Sequence, residues 1–235
     1  MINRSDSPRR SLRAFGLALV ASLALAGLAA GSASALSMSP STGTLIGGNQ
    51  AAVFRSAESP TYECERSETY LKGVEATGGT VESFKLRGCK TTIFGGAAYC
   101  TTAGQPTGTI AASNLSYRLV YLDAAKTKFG IKLAPPPPAQ WFEPGNPFTE
   151  FTCGGVYKWK WTGSVIGQIT SPGLNVLAKS VNLQFAASGS TQNYQQVEGA
   201  GTYHLWASLN GGTATALGLT TNMPLVAAEA VKFLP

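Results

Sequence analysis

Short segments rich in Val, Ile, Tyr, Phe and Thr follow one another along this chain, each cut off by glycine, serine or threonine before a helix could build. Branched and aromatic side chains favour the pleated backbone, and glycine-rich breaks favour turns, so the rhythm predicts an all-β domain. Leu115 to Asp123 alternates, with Leu115, Tyr117, Leu119 and Tyr121 on one face and Ser116 and Arg118 on the other. Phe129 to Leu133 is its partner across the Asp123–Lys128 turn. Tyr70 to Glu75 and Thr80 to Arg87 flank Gly78-Gly79 as a hairpin. Val156 to Thr170 is longer, and Gly163 and Gly167 within it mark a bend, a bulge or a close backbone approach. Phe148 to Cys153, Ser180 to Ala187, Tyr203 to Leu209 and Glu229 to Phe233 complete the strands, with Gly211-Gly212 as the turn after Leu209. Only Leu225 to Lys232 has a helical reading. An antiparallel two-sheet sandwich accounts for this pattern, with a closed β-barrel as the alternative. An outer-membrane barrel fits poorly with paired cysteines and a turn-dense first half.

The first 35 residues belong to a different kind of chain. Arg4, Arg9, Arg10 and Arg13 precede a nearly unbroken apolar run from Phe15 to Ala30, and Ala33-Ser34-Ala35 supplies small residues for a signal peptidase. Residues 1–35 therefore read as an export signal, in preference to a retained anchor. Arg9-Arg10-Ser11-Leu12 resembles a twin-arginine signal, although paired arginines are common in ordinary basic starts. Residues 36–50 read as a flexible lead-in and residues 51–235 as one β-rich domain without repeats or an internal linker. Four of the 18 bases and one of the 12 acids fall in the signal, leaving 14 and 11, a net charge of +3. That balance makes no nucleic-acid stripe. No second apolar run follows, so no integral membrane span is expected after signal removal.

Four cysteines in an exported chain predict two disulfides. Cys64, Cys89, Cys100 and Cys153 allow three connectivities. The Gly95-Gly96 reversal favours Cys89–Cys100, leaving Cys64–Cys153. Zinc is disfavoured, because no cysteine pair has metal-ligand spacing and His204 is the only histidine.

Gly88-Cys89, Tyr99-Cys100, Gly108-Thr109-Ile110, the run Gly130 to Pro135, Phe151 to Gly155 and Gly163 to Gly167 occur here in a distinctive order. Leu209-Asn210-Gly211-Gly212 and Gly218 to Asn222 follow them. In that order the chain resembles an uncharacterised family of exported actinobacterial (Thermoleophilia-type) β-rich proteins, over a region from about Cys64 to the end. Ser116 and Arg118 stand where that family's pattern leads one to expect glycines. The resemblance implies an exported, cell-envelope or extracellular β-domain and carries no catalytic residues.

Tyr157-Lys158-Trp159-Lys160-Trp161 places three aromatics on one strand face and two lysines on the other. An exposed aromatic face would be a platform for sugar rings, with Trp141 beside the rigid Pro135–Pro138 loop as a further contact. An inward aromatic face would be ordinary core, which is how antiparallel strands normally alternate. Catalytic arrangements are thinly supplied. A Ser-His-Asp set would need His204 and Asp123, without a nucleophile elbow. Carboxylate pairs for glycoside hydrolysis would be Glu63 with Glu65, or Glu143 with Glu150. Phosphate-binding and dinucleotide motifs are missing, and no cofactor or metal is called for. The sequence thus favours a non-enzymatic structural or binding domain for glycan, wall polymer or a surface protein. A secreted hydrolase using His204 or a glutamate pair is the alternative.

Overall fold

The computed structural model describes residues 35–58, 60–136, 147–197 and 203–235. Leu36–Pro235 forms one compact unit with its own core. The export-signal reading of residues 1–35, all but its last residue, and the expectation for Trp141 lie outside the described residues.

In chain order the strands are β1 (Ser37–Ser39), β2 (Thr44–Gly48), β3 (Ala52–Ser56), β4 (Tyr62–Cys64), β5 (Arg66–Glu75) and β6 (Gly78–Arg87). Next come β7 (Lys90–Ile93), β8 (Gly96–Thr101), β9 (Ile110–Ala112), β10 (Leu115–Tyr121), β11 (Phe129–Ala134) and β12 (Pro147–Cys153). The last are β13 (Tyr157–Gly163), β14 (Val165–Ser171), β15 (Ala178–Phe185), β16 (Ala187–Ser188), β17 (Thr191–Gln192), β18 (Leu205–Leu209) and β19 (Thr215–Leu234).

Eight of these close an antiparallel barrel, in the order β2–β5–β6–β10–β11–β14–β15–β19 and back to β2. The strands outside it form a second circuit of ladders, β19–β3–β4–β7–β8–β12–β13–β18, which also returns to β19. The 20-residue β19 joins the two rings. Its first residues pair with β3 and β18, and those from Thr221 onward pair with β15 and β2. Leu217, Leu219, Met223 and Leu225 are buried along it while Thr220, Asn222, Pro224 and Val226 are exposed, so one face is interior in both rings.

The barrel is therefore the alternative that the alternation allowed, and not the sandwich placed first. Alternating burial along β5, β15 and most of β19, and the length that lets β19 serve two rings, let the sheet close on itself and leave few edges. Apolar side chains fill the interior, and Lys72–Glu82 and Arg87–Glu68 ion pairs lie on the outside of β5 and β6. That is the reverse of a lipid-embedded barrel, which is apolar outside.

Several local expectations change. Residues 36–50 are not a lead-in: they carry β1 and β2, and Leu36, Met38 and Leu45 are core. Leu225 to Lys232 is strand, because the β2 and β15 ladders claim its backbone hydrogen bonds. Gly78 and Gly79 lie within β6, and the turn is Ala76-Thr77. The run from Val156 to Thr170 breaks at Gly163 (φ +88°), where a Cβ would sit 2.2 Å from the His204 carbonyl. On one side of that break β13 belongs to the second ring, and on the other β14 belongs to the first.

The cysteines occupy one transverse row. Cys64 bridges Cys89 and Cys100 bridges Cys153, each pair with Cα atoms 4.0 Å apart. This corrects the expected Cys89–Cys100 and Cys64–Cys153 pairing. The Gly95-Gly96 reversal does bring Cys89 opposite Cys100, but Cys100 N–H donates to the Cys89 carbonyl, and such pairs hold their Cα atoms further apart.

Candidate functional site

The β13 strand decides which residues face outward. Trp159 is 4% exposed and Trp161 fully buried, so the proposed aromatic platform faces inward and offers no ring to a ligand. Tyr62, Phe151 and Phe54 surround the two indoles, with Phe54–Trp161 centroids 4.3 Å apart and Phe151–Trp161 4.8 Å. Tyr157, at the strand's start, is half-buried against the core. The inward reading of this strand holds because its alternate positions, Lys158 and Lys160, are the ones water reaches.

Those lysines build the outward surface. Register places Thr152 beside Lys158, and Lys158 beside Asn210, whose Oδ1 accepts from Lys158 N–H at 3.0 Å. One step along, Glu150, Lys160 and Ser208 stand side by side, with a 3.5 Å Glu150–Lys160 ion pair. A further step brings Thr162 beside Trp206. The loop at Ala103 and the turn at Asn210-Gly211 wall this face into an open groove of about 510 Å³.

Beyond the groove, the wall near Trp206 holds two polar atoms buried beneath the surface. Trp206 is half-buried on the outer wall, and His204 packs edge-on against it at 5.6 Å. Thr162 Oγ1 and His204 Nδ1 are buried there with no hydrogen-bond partner among the described residues. Burial holds His204 below the ordinary histidine pKa, so the ring is neutral near pH 7. The groove thus offers the Thr152 hydroxyl, the Asn210 amide, the Lys158 and Lys160 ammonium groups and the Glu150 carboxylate, with the half-buried Trp206 indole further along the same wall.

The hydrolytic candidates do not converge. Asp123 spends its carboxylate on its own turn, accepting from Thr127 N–H, Thr127 Oγ1–H and Lys128 N–H. Those bonds, led by Lys128 N–H, hold its pKa below the usual aspartate value. Glu63 and Glu65 are exposed on either side of buried Cys64, and Glu65 packs against Gly88. Glu150 is paired with Lys160, and Glu143 lies outside the described residues. All four cysteines are in disulfides, and no group of His, Cys, Asp and Glu among the described residues is arranged to hold a metal. Of the proline run, Pro135 and Pro136 border a recess with Asn114 and Phe148, and residues 137–146 lie outside the described residues.

Sequence reading gave Lys158 and Lys160 one strand face, but missed that Ser208 and Trp206 stand on the same wall. Only the β13–β18 ladder joins them. No protein-family model, curated protein or solved structure matches the chain.

Proposed function

We propose that this protein is a non-enzymatic, exported β-domain that binds a saccharide polymer, such as an envelope glycan, through the groove on the outer wall of β12, β13 and β18. The observation that carries this reading is the alignment of Thr152, Lys158, Asn210, Glu150 and Lys160 in one groove, with Ser208 and Trp206 further along the same wall. Sugars present hydroxyls that need both donors and acceptors, and C–H faces that stack on an indole. A groove of this size suits a few sugar units. Rigid strands hold the contacts in place before binding, which lowers the entropic cost.

Export is supported by the basic, apolar and small-residue order of residues 1–35, and by two disulfides, which persist in oxidising compartments. The resemblance to exported actinobacterial β-rich proteins points the same way. A hydrolase built on His204 with Asp123 is disfavoured by the three hydrogen bonds that occupy Asp123 in its turn.

Titration of oxidised residues 36–235 with isolated envelope polymers and soluble glycans tests the proposal. Saturable binding that weakens about tenfold or more in Lys160→Ala and in Trp206→Ala is the expected result. Binding indifferent to both substitutions, binding to none of the polymers, or release of new reducing ends would overturn it.

A further inference from the structure

Phe94 is 94% exposed, and its backbone has φ +49°. It forms the β7–β8 turn with Gly95 (φ +80°), the doubly left-handed turn that normally takes Asn-Gly. A bulky side chain is strained in that region, and a ring this exposed gains little packing in return. Such an outlier points to a role outside the folded chain.

The neighbouring turns share its character. The β12–β13 turn is Gly154-Gly155-Val156, with Val156 67% exposed, and it adjoins β8 through Gly154 N–H to Tyr99 carbonyl. Phe94 and Tyr157 rings lie 6.2 Å apart, so the two tips touch. The β18–β19 turn is Asn210-Gly211-Gly212, tied to Lys158 and preceded by part-exposed Leu209. Three glycine-pair turns, each beside an apolar residue, thus crowd one end of the second ring. The row of cystines braces the two touching hairpins below.

We propose that this end is a membrane-contact tip, inserting Phe94 and Val156 into the interface of a lipid surface with anionic headgroups. Area favours lipid over a protein. One phenyl ring, one valine and parts of Tyr157 and Leu209 present on the order of 400 Å², whereas a stable protein interface needs about 800 Å² per partner. Interfacial insertion needs only a few apolar side chains near cations. Lys158 is exposed beside Tyr157, and Arg55 is exposed next to the end of β3 at the same end of the ring.

Sedimentation of oxidised residues 36–235 with vesicles of equimolar phosphatidylglycerol and phosphatidylcholine tests this, alongside Phe94→Asn and Val156→Ser. Asparagine accepts the left-handed turn, so Phe94→Asn raises the denaturation midpoint while weakening vesicle binding about tenfold or more. Val156→Ser weakens binding independently, and saccharide binding in the groove is unchanged in both. The proposal is overturned if the parent protein does not sediment with the vesicles, or if Phe94→Asn sediments equally well. Concentration-dependent self-association abolished by Phe94→Asn, without vesicle binding, would overturn it in favour of a contact between copies.

Discussion

Cys89 and Cys100 face each other across the β7–β8 hairpin, joined by a 3.0 Å backbone hydrogen bond, yet each is bridged to the neighbour on its other side. The bridges fall where they matter for closure. The β4–β7 ladder consists of Tyr62↔Thr91 and Glu63↔Lys90, and the β8–β12 ladder of Thr152↔Thr101 and Cys153↔Cys100. These are the shortest pairings in the second ring, and each carries one cystine at its end. The β7–β8 hairpin is held to the ring on both sides by covalent bonds.

Breaking either bridge should cost stability without abolishing the first barrel. Closing separations of 25 and 53 residues restricts the unfolded chain by about 3.5 and about 4 kcal/mol. Paired Cys100→Ser and Cys153→Ser substitutions should lower the unfolding free energy by about 4 kcal/mol in a urea titration. Peptide mapping under non-reducing conditions should recover Cys64 with Cys89 and Cys100 with Cys153. A peptide linking Cys89 to Cys100 would contradict the row.

Two tryptophans separate the inside of the second ring from its outside. Trp161 is enclosed by Phe54, Tyr62 and Phe151, and Trp161→Ala should cost about 3–5 kcal/mol. Trp206 lies half-buried on the outer wall, and Trp206→Ala should cost less, about 1 kcal/mol, while weakening saccharide binding about tenfold or more. Chemical denaturation of both variants reads the contrast directly.

The hydroxyl of Tyr62 is buried without a hydrogen-bond partner among the described residues, and burial pushes its pKa up. Removing it relieves an unsatisfied polar atom and leaves the ring's contacts with Trp159 and Trp161 intact. Tyr62→Phe should therefore stabilise the protein by about 1 kcal/mol. A loss of stability would mean that a water or ligand serves that hydroxyl.

Lys132 gives stability a pH dependence. It lies on the outer wall of β11, donates to Gln196 Oε1 at 2.9 Å, and sits 4.2 Å from the Tyr203 ring centroid. Burial first, and repulsion from Arg118 second, pull its pKa down to about 8. Between pH 8 and pH 10 the unfolded chain keeps this proton while the folded chain loses it, so stability rises with pH. Above that window Tyr117, pushed up to about 12 by burial, reverses the trend because the unfolded tyrosine ionises first. Lys132→Met should raise the urea midpoint at pH 7, with the advantage shrinking by pH 10.

Strand content was legible because side-chain period and turn residues act locally. The β10–β11 hairpin, the Asp123 turn and the inward face of Tyr157-Lys158-Trp159-Lys160-Trp161 all follow from neighbours in sequence. Ring closure was not legible, since it depends on β19 reaching β2 and β3 across most of the chain. The cystine pairing failed for a related reason. Sequence shows which cysteines approach, but hydrogen-bond phase along the ladder decides which approach closely enough. The groove needed the β13–β18 register to bring Lys160 to Ser208.

The central claim is that the outer wall of β12, β13 and β18 is the binding surface. Nuclear magnetic resonance of isotope-labelled, oxidised residues 36–235, titrated with the envelope polymer that binds most tightly, tests it most directly. The account predicts saturating shifts at Thr152, Lys158, Lys160, Ser208 and Asn210 and at the Trp206 indole, with the first barrel silent. Shifts centred on the first barrel, or none at any polymer concentration, would contradict it.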